Sequence, residues 1–141
     1  MLTKPRLPCL VCQKPVSSTV ARYCSNLCQM NERYQLYISR WKVGLEDGIV
    51  RPYELSNHIR RYLVEKGGNK CSRCGWAELN VVTGNVPLQV EHIDGNWQNC
   101  REENLVLLCP NCHSLTPTFG ALNKGKGRLQ RHNKSKSRDF G

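Results

Sequence analysis

Four cysteine pairs constrain this chain more than any other feature of it: Cys9-Leu-Val-Cys12, Cys24-Ser-Asn-Leu-Cys28, Cys71-Ser-Arg-Cys74 and Cys109-Pro-Asn-Cys112. Thiolates paired at two- and three-residue spacing are the ligand pattern of tetrahedral zinc, and two such pairs close one site. Chain order assigns Cys9, Cys12, Cys24 and Cys28 to a first structural zinc and Cys71, Cys74, Cys109 and Cys112 to a second. Disulfides are the competing use of nine cysteines in 141 residues. They need an oxidising compartment, and the opening Met-Leu-Thr-Lys-Pro-Arg-Leu-Pro-Cys has no apolar stretch of the kind a secretion signal requires. Metal-bound thiolates are therefore favoured.

A chain of this length makes one compact domain or two small ones, and small modules bury too little apolar surface to be stable unaided. Metal staples offset that shortage. The longest apolar run, Leu105 to Cys109, has five residues, whereas a helix crossing a bilayer needs about 20. No membrane partner is expected. Twenty-one basic and eleven acidic residues give a formal charge of +10. Four thiolates and one Zn²⁺ sum to −2, so two filled sites leave a balance of about +6. Such a surface suits a polyanion, and nucleic acid is the usual soluble one.

The expected architecture is a small, zinc-stabilised α+β chain in four segments. Residues 1–44 form a four-cysteine finger followed by a helix, with Ser25 or Asn26 as its cap and Gly44 as its stop. Leu27, Met30, Tyr34, Tyr37 and Trp41 recur at three- and four-residue intervals, a stripe expected to pack against the rest of the chain. A homodimer through the 27–41 helix stays open. Residues 45–67 are a helical linker, with a helix from Ser56 to Lys66 that turns Ile59, Tyr62 and Leu63 inward and stops at Gly67-Gly68. Arg60 and Arg61 beside that face are candidate phosphate contacts, weighed against the ordinary solvated surface arginine. His58 reads as a surface or half-buried histidine. Residues 121–141 carry Lys124, Lys126, Arg128, Arg131, Lys134, Lys136 and Arg138 against one acid, Asp139. With few apolar residues this tail reads as a flexible basic arm offering phosphate contacts.

Residues 68–120 hold the functional core. Leu88 to Ile93 reads as a short strand, Asp94-Gly95-Asn96 as a turn and Asn104 to Leu108 as a returning strand. Pro110 then sits just inside a short helix that carries Cys112 and His113. Successive helical residues diverge by about 100°, so Cys112 can face zinc while His113 faces elsewhere. On a regular strand Glu91 and His92 point to opposite faces. Trp76 and Trp97 are expected to pack, Asp94 to serve the turn, and Cys100 is assigned no role.

The run Val90-Glu91-His92-Ile93-Asp94-Gly95, with Asn104 twelve residues and His113 twenty-one residues beyond His92, resembles the HNH endonuclease family. The resemblance covers about Cys71 to Thr116 and is to the zinc-supported subset with a ββα-metal hairpin braced by paired C-x2-C motifs. It implies that His92 is the general base, that Glu91 and His113 hold a catalytic divalent metal, and that Asn104 constrains the hairpin loop. Many members carry Asp or His where this chain has Glu91, which sets the carboxylate one methylene farther from the backbone. A carboxylate with an imidazole suits Mg²⁺ or Mn²⁺, with tolerance for Ni²⁺, Co²⁺ or Zn²⁺. The implied activity is cleavage of double-stranded DNA by nicking or double-strand cutting, with no small-molecule cofactor, in the cytoplasm of a bacterial or phage-infected cell. Small freestanding members with an added finger include phage and mobile-element nucleases, homing endonucleases among them. The competing class is a non-catalytic zinc-containing module that binds nucleic acid.

Overall fold

The structure is a computed structural model and describes residues 4–125. Lys126, Arg128, Arg131, Lys134, Lys136 and Arg138 of the basic arm lie outside the described residues. The chain opens on a knuckle in which Cys9 N–H donates to Lys14 O and Gln13 N–H to Cys9 O, with Gln13 at a φ of +63°. Helix α1 (Asn26–Lys42) follows, capped by Ser25, whose hydroxyl accepts from Cys28 N–H at 3.3 Å. Gly44, at a φ of +81°, carries the chain out of the helix in the left-handed conformation that glycine adopts without strain.

A short antiparallel hairpin, β1 (Ile49–Arg51) and β2 (Glu54–Leu55), precedes helix α2 (Asn57–Gly67). The helix is capped by Ser56 and stopped by Gly68 at a φ of +70°. Strands β3 (Gln89–His92) and β4 (Leu105–Leu108) pair antiparallel in the register Glu91 opposite Val106 and His92 opposite Leu105. A five-residue helix, α3 (Pro110–Ser114), closes the unit. Among the described residues, no helix is long and apolar enough to cross a membrane.

One core joins these parts. Tyr34, Ile38 and Trp41 of α1, Ile59 and Leu63 of α2, and Leu105 and Leu107 of β4 are buried together with Cys100. Trp41 Nε1–H donates to Cys100 O at 2.8 Å and Tyr34 O–H to Glu65 at 2.7 Å, so the polar ends of these rings are satisfied inside it. The stripe expected on α1 is only half buried, since Leu27 and Met30 are exposed and Ile38 takes a core place instead. The reason is length: at 1.5 Å per residue, α1 runs about 25 Å and α2 about 16 Å, so the shorter helix covers only the later turns of the longer one. At the C-terminal end of the described residues, Gly120–Leu122 form a 3-10 turn and the Asn123 side chain donates to Gly95 O at 2.7 Å.

Candidate active site

Each cysteine quartet converges, with its four sulfurs within 4.8 Å of one another. Sulfurs sharing one tetrahedral zinc lie about 3.8 Å apart when each bond is about 2.3 Å. The separations here are 3.4 Å for Cys12 and Cys24, 3.6 Å for Cys24 and Cys28, and 3.8 Å for Cys74 and Cys109, so both quartets fit that ion. The thiols within a quartet do not ionise alike. The backbone of Cys12 holds the Cys9 thiol down to about 6. Burial alone would raise Cys71, but backbone groups of Cys109 and Cys74 bring it to about 6, while burial and the neighbouring thiols push Cys112 up to about 12. Four thiolates this close repel one another, and a shared cation lets all of them ionise.

The second quartet anchors the helix beneath the site. Pro110 opens α3 at a position where its missing N–H costs nothing, and Cys109 Sγ accepts from Cys112 N–H at 3.4 Å. Cys112 is thereby committed to the sulfur cluster, while His113, one residue on, faces strand β3. Its Nδ1 lies 2.7 Å from Glu91 Oε2, and both side chains are largely buried. The approach is off the direction of a hydrogen bond, which leaves Nδ1 a buried nitrogen with no hydrogen-bond partner. Two lone-pair donors held this close fit one divalent cation, since ligands on adjacent corners of a coordination octahedron with bonds of about 2.1 Å are about 3 Å apart.

Strand alternation sends the neighbouring residue elsewhere. His92 Nε2 lies 3.5 Å from the Cys100 thiol, on the side of the shared core. Burial lowers the pKa of this imidazole, against the opposing charges of Asp94 and Glu91. It is therefore neutral at physiological pH and able to accept a proton. Burial pushes Cys100 up to about 11, so the thiol beside it is protonated.

Asn104 touches neither histidine and organises the turn that follows His92. Its carbonyl accepts from Ile93 N–H, its Oδ1 accepts from Asp94 N–H at 3.0 Å, and its Nδ2 donates to Asp94 Oδ1 and Asn99 O at 2.9 and 2.8 Å. Asp94 accepts further from Asn96 N–H and Asn99 Nδ2. The loop is thus closed around one carboxylate at the end of β3.

Of the expected phosphate contacts, Arg61 is already engaged, paired with Glu65 at 2.7 Å and lying over the Tyr34 ring, while Arg60 and Lys124 are exposed. Trp97 packs on Tyr53 with ring centroids 4.5 Å apart, and Trp76 packs against the second quartet. Sequence reading missed Cys100, Thr116, Thr118, Phe119 and Asn123, all of which touch the site residues or the turn. None of them falls at a spacing that signals metal or catalysis.

Over 80 residues this chain is 40% identical to the H-N-H endonuclease F-TflIV of Escherichia phage T5. The similarity takes in 55% of this chain and 32% of that protein, so the chain spans about a third of the length of the curated relative it matches. No family model matches the chain, and no solved structure does. On that similarity, which agrees with the placement of Glu91 against His113 next to His92, the chain resembles a phage-type HNH endonuclease.

Proposed function

We propose that this chain is a metal-dependent nuclease of the HNH type that hydrolyses phosphodiester bonds of double-stranded DNA. The observation that carries the proposal is the buried pair of Glu91 Oε2 and His113 Nδ1, 2.7 Å apart and not hydrogen-bonded, on the strand whose next residue, His92, carries a neutral imidazole on the opposite face. Glu91 and His113 would hold the cation, with Mg²⁺ or Mn²⁺ suited to the carboxylate and Ni²⁺, Co²⁺ or Zn²⁺ to the imidazole. When bound, it supplies positive charge against the negative charge that develops on the phosphate.

The rest falls to side chains. His92 takes the proton from a water molecule aligned with the leaving 3′ oxygen. Glu91 and His92 are consecutive, so their Cα atoms are only about 3.8 Å apart, although their side chains diverge. The reaction requires a phosphate seated at the end of β3 to meet both. Asn104 keeps that end open by closing the following turn on itself. Arg60, Lys124, Lys126, Arg128, Arg131, Lys134, Lys136 and Arg138 supply contacts to the backbone phosphates of the duplex, and Arg61 would do so only by giving up Glu65.

Conversion of supercoiled plasmid with added Mg²⁺ or Mn²⁺ tests this reading. His92→Ala is expected to slow cleavage by about 10²- to 10⁴-fold while folding, zinc content and DNA binding persist. Equal cleavage by the two proteins would remove His92 from the chemistry. Absence of cleavage by the wild type under every divalent metal would leave a zinc-containing nucleic-acid-binding module.

A further inference from the structure

We propose that residues 116–123 form a strap that positions both candidate metal ligands, with Thr118 aiming the Glu91 carboxylate. The inference rests on Glu91 and His113 holding the divalent cation.

The two oxygens of Glu91 have different surroundings. Oε2 faces His113 Nδ1, whereas Oε1 lies near the hydroxyls of Thr116 and Thr118. A hydroxyl has one proton to give. Thr116 lies 2.9 Å from His113 O but 3.4 Å from Glu91 Oε1, so its proton goes to the carbonyl and it serves the end of α3. Thr118 is closer to Oε1 and has no such competing acceptor among the described residues, so its proton fixes the carboxylate. Glutamate has one more rotatable bond than aspartate, and each free rotor costs entropy when a ligand is ordered. A donor on Oε1 removes the last rotation in advance and leaves Oε2 for the ion. Loss of such a partner of a ligating group typically costs about 10- to 100-fold in metal affinity.

Three further contacts hold the strap in place. The Phe119 ring meets His113 edge-on, with centroids 5.2 Å apart and planes at 89°. Asn123 Nδ2 donates to Gly95 O at 2.7 Å. Gly95 has a φ of +73°, and a Cβ there would meet Asn123 Oδ1 at 2.3 Å and Thr118 Cγ2 at 2.8 Å, so the strap lies where only glycine leaves room for it. Pro117, between the two threonines, restricts the backbone that presents both hydroxyls. One segment thus touches Glu91, His113 and the turn after His92.

The test is Mn²⁺ binding to the zinc-loaded full chain, followed by loss of the electron paramagnetic resonance signal of free Mn²⁺. Thr118→Val keeps the shape and removes the hydroxyl; it is expected to weaken Mn²⁺ binding about 10- to 100-fold with both zincs retained. Thr118→Ser restores a donor and is expected to bind within about threefold of wild type, a rescue that a packing role would not produce. Thr118→Ala repeats the test without the extra methyl should valine disturb the fold. If neither hydroxyl-free variant weakens binding while Glu91→Ala does, the strap proposal is overturned and the metal site stands. If Glu91→Ala also binds as wild type, the metal site itself is wrong.

Discussion

Cys9, Cys12, Cys24 and Cys28 are flanked by exposed apolar side chains, Leu10, Val11 and Leu27 among them, whereas Cys71, Cys109 and Cys112 are buried with Leu108 under Trp76, Leu88 and Val106. The candidate ligands are the same and the spacings nearly so, but an ion would do different work in each place. Around the first quartet Cys9 and Val16 are buried but belong to neither apolar cluster, so a metal there would replace much of a core. The second quartet already has apolar cover and lies directly beneath α3. That helix has five residues, and a helix this short has too few internal bonds to persist alone. A metal held by these sulfurs would pin it, and His113 takes its direction from the cysteine next to it.

The largest difference is expected from breaking the quartets one at a time. Cys109→Ser removes a ligand and the sulfur that caps α3; it should lower the zinc count from two to one and abolish plasmid cleavage. Cys24→Ser should lower the zinc count equally yet leave cleavage at saturating DNA within about tenfold, since Tyr34, Ile38 and Trp41 keep the later turns of α1 docked. Native mass spectrometry reads the metal and the plasmid assay reads the chemistry. Equal loss of cleavage from both variants would break the comparison.

The contrast between the quartets also explains what could be read from sequence. Ligand pairs, the Ser25 cap, the Gly68 stop, and the order strand, loop, strand, helix are local patterns, and local patterns survive without a fold. The hairpin Ile49–Leu55 was hidden because its turn holds Tyr53 at a φ of +67°, where propensity favours glycine or asparagine. Thr118 on Glu91 and Cys100 on His92 span twenty-seven and eight residues. Contacts of that kind come from packing and leave no periodic trace. Whether Glu91 and His92 serve one site was open on spacing alone; only the position of α3 separates their partners.

A middle-sized effect would show whether the two regions share their stability. Ile59 is fully buried between α1, β4 and Cys100, and a Cβ on Gly48 would already meet its Cδ1 at 2.8 Å. Ile59→Ala should therefore destabilise by about 2–5 kcal/mol, because so crowded a site cannot collapse around the missing atoms without moving its neighbours. Denaturation followed by both far-ultraviolet and tryptophan signals should shift as one transition. Two separate transitions would mean that α1 and the β3–β4 hairpin are only adjacent.

The smallest effect is expected where the first region carries apolar surface without burying it. Leu27 and Met30 are 68% and 62% exposed, while Leu108 in the second region is 5% exposed. Removing exposed apolar atoms forfeits almost no burial, so Leu27→Ser with Met30→Ser should change stability by no more than about 0.5 kcal/mol. The melting temperature should also be independent of protein concentration. That last point bears on the homodimer: Tyr34, Ile38 and Trp41 are spent on the chain's own core, so the part of that stripe left for a second copy is Leu27 and Met30. A melting temperature that rises with concentration in the wild type, and ceases to do so in the double variant, would show that these two side chains are buried after all, between two chains.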